Sequence, residues 1–270
     1  MNKTATFTFC DSGENHVGME QLGKMVDIGE GFTITDLEKI KTRLEEIGIL
    51  CQIIDLKNEL LDNEEKNNTK DAYILIIRNV LDSILKKGKK TINDMYKEIF
   101  KDEIWDKKYY CNRRGKVLNK LARWNNVICD IDRDADYENK KGKLISWKRL
   151  ECLSLVKQFI EDIGDDKMKG FVCEGNYYYN LKKTGIGFHG DAERRKVVAL
   201  RIGDSMLLCY NWYHYTKPIG KKKEIILNNG DMYIMSEKAI GTDWKKRSLK
   251  TLRHSAGISD CKYVRVKTIK

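Results

Sequence analysis

Tyr177 to Arg195, YYYNLKKTGIGFHGDAERR, is the stretch on which the reading of this chain turns. An apolar Gly-Ile-Gly-Phe run ends in His189, one of only four histidines, and Asp191 follows two residues on. Bounded by charged residues, the run reads as a strand whose end delivers both side chains to one pocket. A His-x-Asp pair is weak on its own. It gains meaning only if a third ligand follows at a distance.

Downstream the pattern stays strand-like. KVVALRIG (196–203), SMLLCYNWYHY (205–215), KEIILNNGDMYIMS (223–236) and YVRVKTI (263–269) are β-branched or aromatic runs separated by Gly, Asn and Asp. LNNGD at 227–231 is a tight-turn signal. Within this region SLKTLRHSAG supplies His254, followed by small residues that let another group come close. Two imidazoles and one carboxylate, a tight pair plus a distant His, make the facial set of a non-haem iron centre with open positions. Arg265 stands in an alternating stretch after His254, where a guanidinium could bind a carboxylate through two parallel hydrogen bonds.

Upstream the reading is mainly helical. TITDLEKIKTRLEEIGIL (33–50) carries a capping signal at Thr35 and Glu38, with apolar residues at Leu37, Ile40, Leu44 and Ile47. AYILIIRNVLDSILKKGKK (72–90), INDMYKEIFKDEIW (92–105) and WKRLECLSLVKQFIEDIG (147–164) are read as three further helices, the last ended by Gly164. The expected plan is therefore α+β. Residues 1–110 form a mainly helical region serving as a substrate-binding or lid element, and 111–270 form a catalytic domain whose core strands span about 170–270.

His189-x-Asp191, then His254, then Arg265 resembles the Fe(II)/2-oxoglutarate-dependent dioxygenase superfamily, over roughly residues 170–270. The lead-in NYYYNLKKTGIGFHGD and the later LNNGDMYIMSEKA are most similar to its AlkB-type branch. In that branch an Asn and then a Tyr precede the strand; here Tyr178 and Asn180 stand in reversed order. The branch also carries a more distant arginine pair after the second His, whereas here only Arg265 follows. The resemblance implies a double-stranded β-helix (jelly-roll) core, with Fe(II), 2-oxoglutarate and O2 as cofactor and co-substrates. It implies His189, Asp191 and His254 as metal ligands, and Arg265, Tyr178 and Asn180 as partners of 2-oxoglutarate. The implied activity is hydroxylation of a C–H bond, with oxidative demethylation or base hydroxylation of nucleic acid as its AlkB-type form.

Charge points the same way. Fifty-one Lys and Arg against forty Asp and Glu give a net charge of +11, which favours nucleic acid or another acidic macromolecule as partner. YYCNRRGKVLNKLARWNN (109–126) interleaves cations, Arg123 among them, with aromatic rings, as single-stranded nucleic acid would require. The bland alternative for this segment is an amphipathic helix burying Val117, Leu118 and Leu121. Glu193, Arg194 and Arg195, beside the His-x-Asp, and Asn15 and His16, in the Gly-containing loop FCDSGENHVGM, are candidate substrate contacts. His16 is also an alternative third ligand. A protein side-chain hydroxylase fits the same chemistry, and a non-catalytic nucleic-acid-binding protein on a degenerate barrel is the alternative from another class.

Eight cysteines without a C-x-x-C pair argue against a structural zinc and, with no charged-then-apolar N-terminus, against a disulfide framework. No apolar run approaches the roughly 18 residues of a membrane span. The expectation is an intracellular protein, of cytosol or nucleus, with no membrane contact.

Overall fold

The computed structural model describes residues 2–257. Its first element, β1 (Thr4–Cys10), alternates Thr4, Thr6 and Thr8 with Ala5, Phe7 and Phe9, and every one of its residues is buried. Such alternation gives a strand two chemically different faces. A small hairpin, β2 (Ser12–Glu14) with β3 (Gln21–Gly23), leads to helix α1 (Ile34–Glu46). A capping box opens α1, but it is formed by Thr33 and Asp36 rather than Thr35 and Glu38.

Strand β4 (Cys51–Asp55), the single-turn α2 (Asn63–Asn67) and strand β5 (Tyr73–Ile77) come next, then helices α3 (Val80–Lys87) and α4 (Ile92–Ile99). The helix expected over 72–90 is thus a strand followed by a shorter helix. Ile74 to Ile77 are buried on both faces, and such a run carries no periodicity that separates strand from helix. Asn79, at φ 49°, makes the break in the left-handed region. The helix considered for 109–126 is a hairpin, β6 (Lys108–Cys111) with β7 (Lys116–Asn119), turned through Gly115 at φ +58°. Leu121, expected inward, is exposed.

Strands β8 (Trp124–Cys129) and β9 (Leu144–Ser146) run parallel to each other and precede helix α5 (Glu151–Gly164). The chain then runs through β10 (Val172–Tyr178), β11 (Gly185–His189), β12 (Val197–Gly203), β13 (Met206–His214), β14 (Lys217–Leu227), β15 (Met232–Met235), the single-turn α6 (Glu237–Ile240) and β16 (Thr251–Gly257). The strand runs and the LNNGD turn stand where the pattern put them; YVRVKTI and Arg265 lie outside the described residues.

Eight strands form one sheet in the order β4-β5-β15-β12-β1-β10-β8-β9, and four form another in the order β11-β16-β13-β14. The chain is mixed α and β with more strand than helix. The region over 1–110, expected to be mainly helical, holds α1 to α4 and strands as well. That segment gives β1, β4 and β5 to the large sheet, and β1 lies at its centre between β10 and β12.

Two apolar clusters show how the layers pack. Ala5, Phe7, Phe9, Val198, Leu200 and Ile202 share one cluster with the inward residues of α1, α3, α4 and α5, so helices cover one face of the large sheet. Val197, Ala199, Tyr233 and Met235 share the other with Leu208, Tyr210, Trp212 and Leu252 of the small sheet. The space between the sheets is only partly apolar. Thr6, Asn176 and Arg201 are cross-strand partners in one row of that inner face, and all three are buried.

Candidate metal centre

Strand β11 pairs with β16 so that His189 stands opposite His254, with a register shift between Ile186 and His189. The two ring centroids are 4.5 Å apart. His189 Nδ1 donates to the carbonyl of Gly187 at 2.8 Å, which turns its Nε2 toward Asp191. Asp191 lies just past the strand, where its amide donates to the carbonyl of Ile240. A Cβ on Gly190 would lie 2.0 Å from the Gly241 carbonyl oxygen, so only glycine fits between the two ligands.

The result is a close set of donors. Asp191 Oδ1 lies 3.4 Å from His189 Nε2 and 3.6 Å from His254 Nε2, and one ligand atom from each residue falls within 4.8 Å of the others. Donors about 2.1 Å from one centre and at right angles lie about 3 Å apart, and the two carboxylate–imidazole distances are within about half an ångström of that spacing. His254 is buried, His189 and Asp191 are half-buried, and the group could hold a metal.

Electrostatics prepares the donors for that role. Burial would raise the Asp191 carboxyl, but Arg194, then His254 and His189, hold it well below the usual carboxylate range. Burial, then the neighbouring His189, pushes His254 down to about 3, so it is a neutral imidazole at pH 7. Arg194 Nε is 3.5 Å from Asp191 Oδ2, the oxygen turned away from the histidines. The same guanidinium binds Glu174 and Glu193, each at 2.5 Å. Arg194 therefore orients a ligand and is itself held by carboxylates, so it is not available to a substrate phosphate in this arrangement.

The other candidates divide. Tyr178 is buried on β10 with its ring 5.9 Å from the Arg201 guanidinium, facing the interior. Asn180 lies beyond β10, where its Oδ1 accepts from the Lys182 amide and its carbonyl from Thr184 Oγ1; it shapes a turn. The interior asparagine is Asn176, whose Oδ1 accepts from Arg123 Nε and Asn125 Nδ2, both at 2.5 Å. It was legible as an Asn-x-Tyr spacing two residues earlier in NYYYN.

Arg195 turns outward. Its Nε donates to the carbonyl of Val26, its Nη1 is 3.5 Å from Glu237, and its amide donates to Asp11. Asn15 is buried and accepts from Lys120 Nζ through its carbonyl and its Oδ1. His16 lies outside the donor group, stacked on Tyr109 with centroids 3.8 Å apart and planes 5° from parallel. Glu14, beside it, is pushed up to about 7 by burial and then by Glu193 and Glu174. The loop after β1 thus meets the His-x-Asp segment, with Gln21 Nε2 donating to the Glu193 carbonyl. Tyr210, Tyr233, Thr6, Glu174 and Arg201 also face this interior; Tyr233 lies in the LNNGDMYIMSEKA stretch, and no motif announced the others.

No model of a known protein family matches the chain. A protein of Acanthamoeba polyphaga mimivirus, named Uncharacterized protein R156, is 41% identical over 259 residues, covering 95% of this chain and 96% of its own length. The chain belongs to the R156 family. Similarity across nearly the whole of both chains means that the R156 family shares more than the region of the His-Asp-His group. None of the described helices is long and apolar enough to cross a membrane.

Proposed function

We propose that this protein is an Fe(II)- and 2-oxoglutarate-dependent dioxygenase that oxidises a C–H bond on nucleic acid. The observation that carries the reading is the donor group itself: two facing imidazoles and one carboxylate, one imidazole buried and the other two groups half-buried. Such a set leaves several positions of an ion open. The winding supports it. From β10 to β16 the chain alternates between the large and the small sheet except at the β13–β14 hairpin, which stays in the small sheet, an order that a double-stranded β-helix also has, and β1 fills the fourth place in the row β15-β12-β1-β10.

When bound, iron and 2-oxoglutarate would supply the activation of O2 and the oxidation of the C–H bond. The chain's part is to aim His189 and His254 at Asp191, His254 as a neutral imidazole, to keep Asp191 ionised, and to hold its second oxygen on Arg194. Trp212 and Tyr210, both fully buried, close the interior against water. For the substrate, the β6–β7 hairpin offers exposed Arg113, Arg114 and Lys116 beside the His16–Tyr109 stack, cations for phosphates and rings for bases. A base in duplex would have to leave its stack to reach the ion.

The test is succinate release from 2-oxoglutarate with single-stranded oligonucleotides carrying N-methylated bases. The wild type should release succinate in proportion to base demethylated, and Asp191→Asn and His254→Ala should release none. Iron-loaded wild type that converts no 2-oxoglutarate with any nucleic acid would overturn the reading.

A further inference from the structure

Arg201 is fully buried on the inner face of β12 with the Tyr178 ring 5.9 Å from its guanidinium; the carboxylate that acts on it, Asp231, forms its ion pair with Arg78, and none of the described carboxylates forms one with Arg201. Its Nε has no hydrogen-bond partner, and Nη1 approaches only the Met206 sulfur, at 3.8 Å. A guanidinium keeps its charge in a protein, and a buried charge without a partner is heavily disfavoured. The other buried arginine among the described residues, Arg194, is satisfied, since it holds Glu174, Glu193 and Asp191. The charge on Arg201 therefore calls for an anion that the described chain does not provide.

The surroundings suit a carboxylate. Thr6 stands opposite Arg201 on β1, and its hydroxyl has no partner. Tyr210 stands opposite His254 on β13, and its hydroxyl has none either. The Tyr210 and His254 rings are 6.0 Å apart, and Tyr233 is influenced electrostatically by both Arg201 and Asp191. Unanswered donors thus lead from Arg201 back to the metal group. The large-sheet place between β10 and β12 belongs to β1, whose inward side chains are Thr4, Thr6, Thr8 and Cys10, without a cation.

We infer that Arg201, with the hydroxyls of Thr6 and Tyr210, receives the remote carboxylate of the keto acid, a role the sequence alone gave to Arg265. The inference rests on the keto-acid reading above. Its guanidinium forms the paired hydrogen bonds that fix one end of a dicarboxylate, and the other end is left to the ion. The site then prefers a dicarboxylic keto acid over a monocarboxylic one of equal length.

The test is calorimetric binding of 2-oxoglutarate and of 2-oxopentanoate, which lacks the remote carboxylate, to full-length protein loaded with Mn(II). Wild type should prefer 2-oxoglutarate by roughly 100-fold. Arg201→Met should bind Mn(II) with unchanged stoichiometry but lose that preference, Arg201→Lys should recover part of it, and Arg265→Met should keep it. Should Arg201→Met fail to fold, Tyr210→Phe provides the second reading, with 2-oxoglutarate weakened roughly 10-fold and 2-oxopentanoate unchanged. Undiminished preference in Arg201→Met, in Arg201→Lys or in Tyr210→Phe, or its loss in Arg265→Met, overturns the assignment alone. Wild type that binds Mn(II) but neither keto acid overturns the dioxygenase reading as well.

Discussion

Gly190 shows how little room the centre leaves. A methyl group there would meet the Gly241 carbonyl at 2.0 Å and the Trp244 Cβ at 2.9 Å, so Gly190→Ala must move the loop that carries Asp191. The expected cost is about 1–3 kcal/mol of stability together with lost metal binding, checked by thermal melts and metal stoichiometry. Lys120 gives a pH signature of its own. Burial lowers its pKa to about 7 against an ordinary 10.5, so the unfolded chain binds more protons between these values and stability rises with pH across that window. Denaturant titrations of wild type and Lys120→Met should diverge by about 2 kcal/mol between pH 7 and 9, with the gain seen in wild type only. A pH-independent difference would show that Lys120 is not held in its lowered state.

At the scale of elements, β1 carries the most unexpected weight. It pairs along its whole length with both β10 and β12, and Phe7 and Phe9 tie it to the helical layer. Phe7→Ala should cost about 3–5 kcal/mol in chemical denaturation, a core value from a strand next to the N-terminus. The sequence hid this because Thr4, Thr6 and Thr8 look like a solvent-facing stripe, whereas they line the space between the sheets. Strand β5 was hidden differently, since an unbroken Ile-Leu-Ile-Ile run has no period to read. The later strands were legible from their period and their turns. His189, Asp191 and His254 were legible because short spacing and strand ends place ligands directly. Arg201 was not, because a lone arginine in a strand reads as an edge charge until its burial is known.

For the whole molecule, a net charge of +11 and the basic β6–β7 hairpin set an expectation for binding. If three or four phosphates are held, affinity for a single-stranded oligonucleotide should fall about 20- to 50-fold between 50 and 200 mM salt, and Arg113→Ala with Arg114→Ala should flatten that slope. Fluorescence anisotropy across a salt series reads both effects; a salt-independent affinity would remove nucleic acid as the partner. The centre itself is tested most directly by anaerobic titration with Fe(II) and then 2-oxoglutarate, following visible absorbance. The account predicts one iron per chain and a weak charge-transfer band that appears on adding the keto acid and is absent in His189→Ala. Wild-type protein that binds no iron, or a band that survives in His189→Ala, would contradict it.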